Sequence, residues 1–246
     1  DGAVEICKLR LWLSMVADIE DEPNEVEPLP NIDFNIRQGN SLIGFTELQE
    51  VANEQGDASL TNFGGGVGDS VQEMYEDVIT AVERHQEAKS SSEATNARKV
   101  AESRIDEHSK TLNNKILQQF HEAGLEELSL GDIGEYSPFH WVLEFAPVYR
   151  DGGFDIVIGN PPYEGQSQQD YIGELARFYD EKYDFYKTIP RMRHDLYQKF
   201  NIRGWELTRD GGVLSYITSD TFYTIGSKQT TRNLLQQNEL DILLDA

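Results

Sequence analysis

Apolar residues three and four positions apart predict a helix at the start of the chain. In AVEICKLRLWLSMV, one apolar stripe consists of Val4, Cys7, Leu11 and Met15, and it is widened by Ile6, Leu9, Leu13 and Val16. A stripe this wide is expected of a well-buried helix. Because such a helix normally follows a strand, the sequence is expected to be an internal part of a longer protein.

The next patterned stretch, NIDFNIRQGNSLIG, follows an acidic, proline-bearing loop between residues 18 and 30. Residues Asn35 to Gln38 predict a short strand that turns at Gly39. The turn is expected to present two polar side chains, Asn40 and Ser41.

Residues 47–136 predict an inserted helical hairpin. Three consecutive glycines within residues 62–69 predict a flexible connection. Apolar spacing then predicts one helix from Val71 to Val82 and a longer one from Val100 to Phe120. Their polar faces are expected to be solvated, and a partner-binding surface is the alternative.

The last part of the chain, residues 137–246, alternates strands with helices. Strands are predicted at 154–158, at 213–218 and from 241 onwards, with aromatic-rich helices at 169–186 and 193–207. Together with residues 1–46, this part predicts an α/β fold with a Rossmann-like, doubly wound, mostly parallel sheet. The first of these strands is apolar enough to be a central parallel strand covered on both faces. In such sheets, ligands bind beyond the carboxyl ends of the strands.

Composition restricts the class of protein. The chain has 246 residues and one cysteine, Cys7, which excludes a disulfide framework and a cysteine-based zinc site. No apolar run is long enough for a membrane span, so a cytoplasmic protein is expected. Its 44 acidic and 21 basic residues give a net charge of -23, which argues against an ordinary nucleic-acid binder. Either the partner is not a nucleic acid or the acidity is an adaptation to high salt, and the scattered acidic groups favour the second explanation.

The residues Asn160, Pro161, Pro162 and Tyr163 stand directly after the predicted strand at 154–158. Proline has no backbone N–H and restricts the preceding residue to extended backbone, so this turn offers carbonyl acceptors without competing donors. The Asn160 side-chain oxygen and the Pro161 carbonyl can accept both hydrogens of an exocyclic amino group, while Tyr163 offers a flat face to its ring. The pattern predicts binding of an aminated heterocycle whose nitrogen attacks an electrophilic methyl group.

The chain here resembles the class I adenine-N6 DNA methyltransferases that use S-adenosylmethionine, in particular their type IIG branch of restriction-modification and phage-exclusion proteins. Five blocks carry the resemblance in order: EICKLRLWLS, NIDFNIRQGNSLIG, PFHWVLEF leading to GGFDIVIGNPPY, DLYQKF, and GGVLSYITSDTF. The predicted hairpin falls where that family tolerates insertions. The charge suggests a source adapted to salt.

The resemblance implies roles for residues of these blocks. Asn160, Pro161 and Pro162 would bind the amino group of an adenine flipped out of the duplex, with Tyr163 stacking on the base. Asn40 and Ser41 match positions that contact the cofactor, although a polar turn is the alternative for Asn40. Asp195 and Tyr197 match a block that helps to wall the same pocket, although packing is the alternative for Tyr197. His140 and Trp141 are expected to pack under the sheet. The glycine-rich cofactor motif is expected before residue 1.

DNA contacts are predicted in the most basic stretch, between Lys187 and Arg203, where Arg191, Arg193 and Lys199 are placed to meet phosphates. Lys228 and Arg232 form a weaker second candidate. A restriction or target-recognition domain is expected on the same polypeptide. Two alternatives remain open: a methyltransferase with the same tetrapeptide that acts on protein glutamine or ribosomal RNA guanine, and a truncated module without catalytic activity.

Overall fold

The computed structural model describes residues 2–17, 32–46, 71–162, 196–218 and 232. Four predicted elements lie outside these described residues: the loop at 18–30, the connection at 62–69, the helix at 169–186 and the strand from 241.

The chain divides into two compact units, of which the first contains Asp1–Leu112 and Ser137–Asp151 and the second contains Asn113–Tyr136 and Gly152–Ala246. Elements of the first unit are the helices α1 (Gly2–Ala17), α2 (Val71–Gln86), most of α3 (Ser91–Glu122), α5 (Trp141–Glu144) and α6 (Ala146–Arg150). Elements of the second are the end of α3, α4 (Leu130–Glu135), β1 (Phe154–Gly159), α7 (Leu196–Leu207) and β2 (Thr208–Tyr216). The domain boundaries inferred from the sequence stay a prediction.

Helix α1 confirms the first predicted helix but not its burial. None of its residues is buried, and its exposed apolar side chains include Ile6, Leu9, Leu11, Trp12, Leu13 and Val16. The pattern of apolar positions determines which side chains share a face, but it does not show what covers that face. In the described part of the chain, no helix is long and apolar enough to cross a lipid bilayer.

Helices α2 and α3 confirm the predicted helical pair. They run antiparallel, because Asp77 on α2 contacts Arg104 and His108 on α3 at 3.3 and 3.1 Å, whereas His85, one residue before the end of α2, contacts the Ala94 carbonyl near the start of α3. Apolar side chains are buried along both helices: Met74, Tyr75, Val78, Ile79, Val82, Ala101, Ile105 and Leu112.

The predicted strand from Asn35 to Gln38 is wrong, because these residues form turns and irregular backbone. The Asn35 N–H donates to the Ile32 carbonyl at 3.1 Å and closes a turn. The Arg37 guanidinium lies over the Phe34 ring, 4.6 Å from its centroid. An alternation of apolar and polar residues this short fits a turn as well as a strand.

Strands β1 and β2 form a two-stranded parallel sheet, as predicted for these two segments. Their register pairs Ile156 with Val213 and Gly159 with Tyr216. Before this regular part the register shifts, because Phe154 pairs with Thr208 and β2 therefore has extra residues between its pairing positions. Gly211, one of these extra residues, has a positive φ of 74°. A small parallel sheet with helices is compatible with a methyltransferase fold, and the doubly wound arrangement stays a prediction.

The expectation that β1 is covered on both faces is wrong for the described residues. Helix α7 packs on the face that carries Gly159 and Tyr216, because Gly204 of α7 lies against the Tyr216 ring. The opposite face is exposed, with 60 % of Ile156 and 78 % of Ile158 accessible, and Val213 and Ile217 are exposed as well. An apolar strand therefore formed as predicted, but only one of its faces is covered by a described helix.

Candidate functional site

The tetrapeptide that stood out in the sequence begins at the carboxyl end of β1. Asn160 is exposed, Pro161 is buried and Pro162 is exposed, whereas Tyr163 lies outside the described residues. Because Pro161 is buried while its two neighbours are exposed, residues 160–162 form a corner at the protein surface and do not cap an interior strand. Asn160 is thus exposed at this edge of the sheet.

The peptide that leads into this corner is fixed by β2. The Ile217 N–H donates to the Gly159 carbonyl at 3.1 Å, which is the last backbone hydrogen bond before Asn160. The Tyr216 ring lies directly against the α-carbon of Gly159. Sequence reasoning did not single out Tyr216 or Gly159, although a glycine next to an asparagine at a strand end is a signal of close packing.

In the first unit, two blocks that are about 100 residues apart in sequence lie side by side. The Asn40 N–H donates to the Ser137 carbonyl at 2.8 Å, and the Phe139 N–H donates to the Ile43 carbonyl at 2.7 Å. The Trp141 indole N–H donates to the Ser41 carbonyl at 3.1 Å. These bonds join the GNSLIG segment to the PFHW segment and hold Asn40 and Ser41 in place.

Asn40 is part of a tight turn. Its side-chain oxygen accepts from the Leu42 N–H at 3.1 Å, and its carbonyl accepts from the Ile43 N–H at the same distance. Such a side-chain to backbone bond two residues on is typical of asparagine in turns. The turn is therefore observed, and a contact between Asn40 and a cofactor stays a prediction.

A pocket of about 280 Å³ adjoins this turn. Its walls combine backbone and side chains of residues 35–41 with an aromatic cluster, and they comprise Asn35, Ile36, Arg37, Gly39, Ser41, Phe139, Trp141 and Phe145. In the cluster, the Trp141 and Phe145 rings stack with centroids 5.7 Å apart. Sites for drug-sized ligands have volumes of roughly 300–1,000 Å³, so this pocket has room for one ring system of a larger ligand.

One buried ion pair lies close to this pocket. The Arg37 Nε atom is 3.0 Å from a Glu144 carboxylate oxygen, and both side chains are more than four-fifths buried. Burial raises the pKa of Glu144, and the Arg37 charge opposes that rise. Arg37 therefore offsets the desolvation of the carboxylate and holds α5 against the turn segment.

His140 is a packing residue, as the sequence indicated. It is 1 % exposed, its ring stacks on Phe45 with centroids 5.6 Å apart, and its Nδ1 atom accepts from the Phe45 N–H at 3.4 Å. Trp141 also packs within the first unit, where it contacts Ser41 and Phe145.

The remaining predicted site residues divide into two groups. Tyr163, Arg191, Arg193, Asp195 and Lys228 lie outside the described residues, and nothing tests their roles. Tyr197 and Lys199 belong to α7 and are 1 % and 0 % exposed.

The burial of Lys199 argues against the phosphate contact that was predicted for it. It lies on the helix face that also carries Leu196, Arg203 and Leu207, which are all buried. Spacings of three and four residues place these four side chains together on the packed face of α7. Charge alone suggested a surface position, whereas the apolar spacing around Lys199 indicates burial. The Tyr197 side chain is buried, which fits the alternative role of a packing residue.

Comparison with known proteins gives one curated relative and one family. A Methanocaldococcus jannaschii protein, which bears the name of a type II restriction enzyme and methyltransferase, is 23 % identical over 269 aligned positions that cover 91 % of this chain. The chain spans about a fifth of the length of that relative, 21 %. No solved structure matches the chain at comparable significance. Residues 1–246 match the family described as Eco57I restriction-modification methylase. This match covers the entire sequence, and the chain belongs to the Eco57I restriction-modification methylase family.

Proposed function

We propose that this chain transfers a methyl group from S-adenosylmethionine to the N6 amino group of an adenine in DNA. Membership in a restriction-modification methylase family supports a methyltransferase with a DNA substrate. The observation that carries the adenine assignment is the exposed Asn160 at the carboxyl end of β1, directly before the anchored Pro161. That edge is where open α/β sheets bind their ligands.

The corner acts by accepting hydrogen bonds. The Asn160 side-chain oxygen and the Pro161 carbonyl accept the two hydrogens of the adenine amino group, and Pro162 stiffens the turn without adding a competing N–H donor. When both hydrogens are held in this way, the nitrogen becomes pyramidal and its lone pair is directed at the incoming methyl carbon. The new N–C bond would form as the bond between the methyl carbon and the donor sulfur breaks; the sulfur would keep that electron pair and leave as a neutral thioether, and the nitrogen would then lose one proton to solvent. Tyr163 stacks on the base.

S-adenosylmethionine supplies the electrophilic methyl group when it is bound. The pocket beside Ser41 suits a planar part of such a molecule, because aromatic side chains line it together with Gly39 and Ser41. Ser41, which lines the pocket, and the adjacent Asn40 would hold the cofactor there.

A base within a duplex cannot present its amino group to this corner, so the target adenine is flipped out of the helix. Arg191 and Arg193 are the proposed phosphate contacts, because Lys199 is buried. Because the chain spans 21 % of the length of the curated relative, a restriction or target-recognition domain on the same polypeptide is part of the proposal.

The test is Asn160→Ala in the complete polypeptide in which this sequence occurs. The variant should lower methyl transfer to adenine-containing DNA by a factor on the order of 10² or more, since an oriented hydrogen bond at the reacting atom is lost. Binding of S-adenosylmethionine, measured by calorimetry, should stay within about twofold because Asn160 faces the base.

Asn96→Ala is the matched control, since it removes the same amide from an exposed position on α3. Its rate should equal that of the wild type. Equal turnover by the Asn160 variant and the wild type would refute the assigned role.

A further inference from the structure

The Tyr216 ring lies against two glycines of the second unit. At Gly159, the last residue of β1, an added Cβ would be 2.7 Å from the Tyr216 Cε1 atom. At Gly204 of α7, an added Cβ would be 2.6 Å from the Tyr216 hydroxyl oxygen, 2.8 Å from Cζ and 2.7 Å from the Leu214 Cδ1 atom. These distances are far below ordinary carbon contacts of about 3.5–4.0 Å.

These glycines are required for space rather than for conformation. Neither of them has the positive φ that favours glycine, in contrast to Gly211 in β2 at 74°. A tyrosine ring therefore occupies the volume that side chains at positions 159 and 204 would need. The ring is a rigid spacer, because it contacts both the end of β1 and helix α7.

The spacer acts on the peptide that leads into Asn160. Gly159 and Tyr216 are direct partners in the parallel register, and the next residue of β2, Ile217, donates its N–H to the Gly159 carbonyl at 3.1 Å. The ring contacts both Gly159 and α7 and so limits how closely they approach, while the hydrogen bond sets the direction of that carbonyl. The carbonyl carbon of Gly159 is bonded to the backbone nitrogen of Asn160, so the position of this peptide determines where the Asn160 side chain begins.

We propose that Tyr216 is a positioning residue for methyl transfer, whose ring sets the place of the Gly159–Asn160 peptide and thereby aims the Asn160 oxygen at the amino group. This inference rests on the proposed function. Tyr216 touches neither the base nor the methyl donor in this account, and it acts only through Gly159.

The ring, and not the hydroxyl, carries this role. Burial raises the pKa of Tyr216 above its ordinary value of 10.0, and the neighbouring Arg203 charge opposes the rise. The hydroxyl is consequently protonated at neutral pH and does not serve as a base. Removing it should leave the spacer in place, whereas removing the ring should not.

The experiment compares four variants of the complete polypeptide: Tyr216→Phe, Tyr216→Leu, Gly159→Ala and the double variant Gly159→Ala/Tyr216→Leu. Each is assayed for kcat and for KM of S-adenosylmethionine with adenine-containing DNA. Tyr216→Phe should stay within about twofold of the wild type. Tyr216→Leu and Gly159→Ala should each lower kcat by about tenfold to a hundredfold, as expected for a displacement of about 1 Å at the reacting group, with KM within about twofold.

The double variant distinguishes positioning from general damage. Leucine leaves room for the new methyl group at position 159, so the double variant should be faster than Gly159→Ala alone and far faster than the product of the two single effects. Fluorescence of 2-aminopurine at the target position, which reports extrusion of the base, should be the same in Tyr216→Leu and the wild type. Circular dichroism shows whether each variant is folded. If Tyr216→Leu does not fold, Tyr216→Met takes its place.

Three results would overturn the inference: wild-type kcat in Tyr216→Leu, a loss in Tyr216→Phe as large as in Tyr216→Leu, or fully multiplicative losses in the double variant. Absence of transfer to adenine by the wild type refutes the proposed function itself, and the inference with it. Transfer by the wild type together with an unaffected ring-deletion variant refutes the inference alone.

Discussion

Gly44→Ala tests how the Asn40 turn is held against the PFHW segment. Gly44 has a φ of +138°, and an added Cβ would be 2.1 Å from the Phe139 carbonyl oxygen. That oxygen belongs to the backbone, so it cannot move aside as a flexible side chain would. Alanine at this position requires the two segments to separate.

The expected loss of stability has two parts. A strained φ costs about 1–3 kcal/mol for a residue other than glycine. Separation of the segments also breaks or lengthens the 2.7 Å bond from the Phe139 N–H to the Ile43 carbonyl and the 3.3 Å bond from the Val142 N–H to the Phe45 carbonyl, at about 1 kcal/mol each. The free energy of unfolding should therefore fall by about 3–5 kcal/mol.

Gly124→Ala is the matched control. Gly124 also has a positive φ, +83°, but an added Cβ would meet no atom within 4 Å. Only backbone strain remains, about 1–2 kcal/mol. Urea denaturation gives both free energies, and hydrogen exchange at the Phe139 amide locates the change. Equal losses in the two variants, or an unchanged exchange rate at Phe139 in Gly44→Ala, would refute the reasoning.

Two further predictions concern contacts of the first unit. Tyr75→Phe removes the 2.8 Å hydrogen bond from the buried hydroxyl to the Ala146 carbonyl and should cost about 1–2 kcal/mol at pH 7 in urea denaturation. Burial raises the pKa of Tyr75 to about 12. The folded state therefore holds this proton more tightly than the unfolded state, and the difference between wild type and variant should shrink as pH rises from about 10 to 12. A constant difference across that range would contradict this. Asp33→Asn removes a carboxylate that lies 3.2 Å from the buried His85 ring and also pairs with Lys8 and Arg98, so a loss of about 2 kcal/mol is expected. Asp106→Asn, which breaks an exposed i,i+4 pair on α3, should cost less than about 0.5 kcal/mol. If Asp106→Asn and Asp33→Asn lost equal stability, the Asp33 contacts would contribute no more than an exposed ion pair.

The sequence was most informative where one periodic signal extends over several turns. Helices α2 and α3 were predicted from three-and-four spacing, and the structure has both of them. The parallel strands around Ile158 and Leu214 were predicted from apolar runs bounded by glycine, and they pair as expected. Local periodicity determines these elements, so no distant contact had to be known.

Contacts between distant residues could not be predicted in the same way. The pairing of Asn40 with Ser137, the contact of Tyr216 with two glycines and the burial of Lys199 depend on which segments meet in space. The short alternation at Asn35–Gln38 was equally compatible with a strand and with a turn, and local hydrogen bonding decided for the turn. Gly44 and Gly159 were visible in the sequence, but their neighbours were not.

The candidate corner itself was readable from residue chemistry. An amide followed by two prolines after an apolar strand predicted an accessible acceptor group, and Asn160 is exposed at the end of β1. What this corner binds is the central claim of the account.

The most direct test is the identity of the methylated nucleoside. The complete polypeptide is incubated with S-adenosylmethionine carrying a labelled methyl group and with DNA, and the DNA is then digested to nucleosides and separated. The account predicts label in N6-methyldeoxyadenosine. Label in a methylated cytosine, or label only in protein glutamine or ribosomal RNA supplied in parallel, would contradict it.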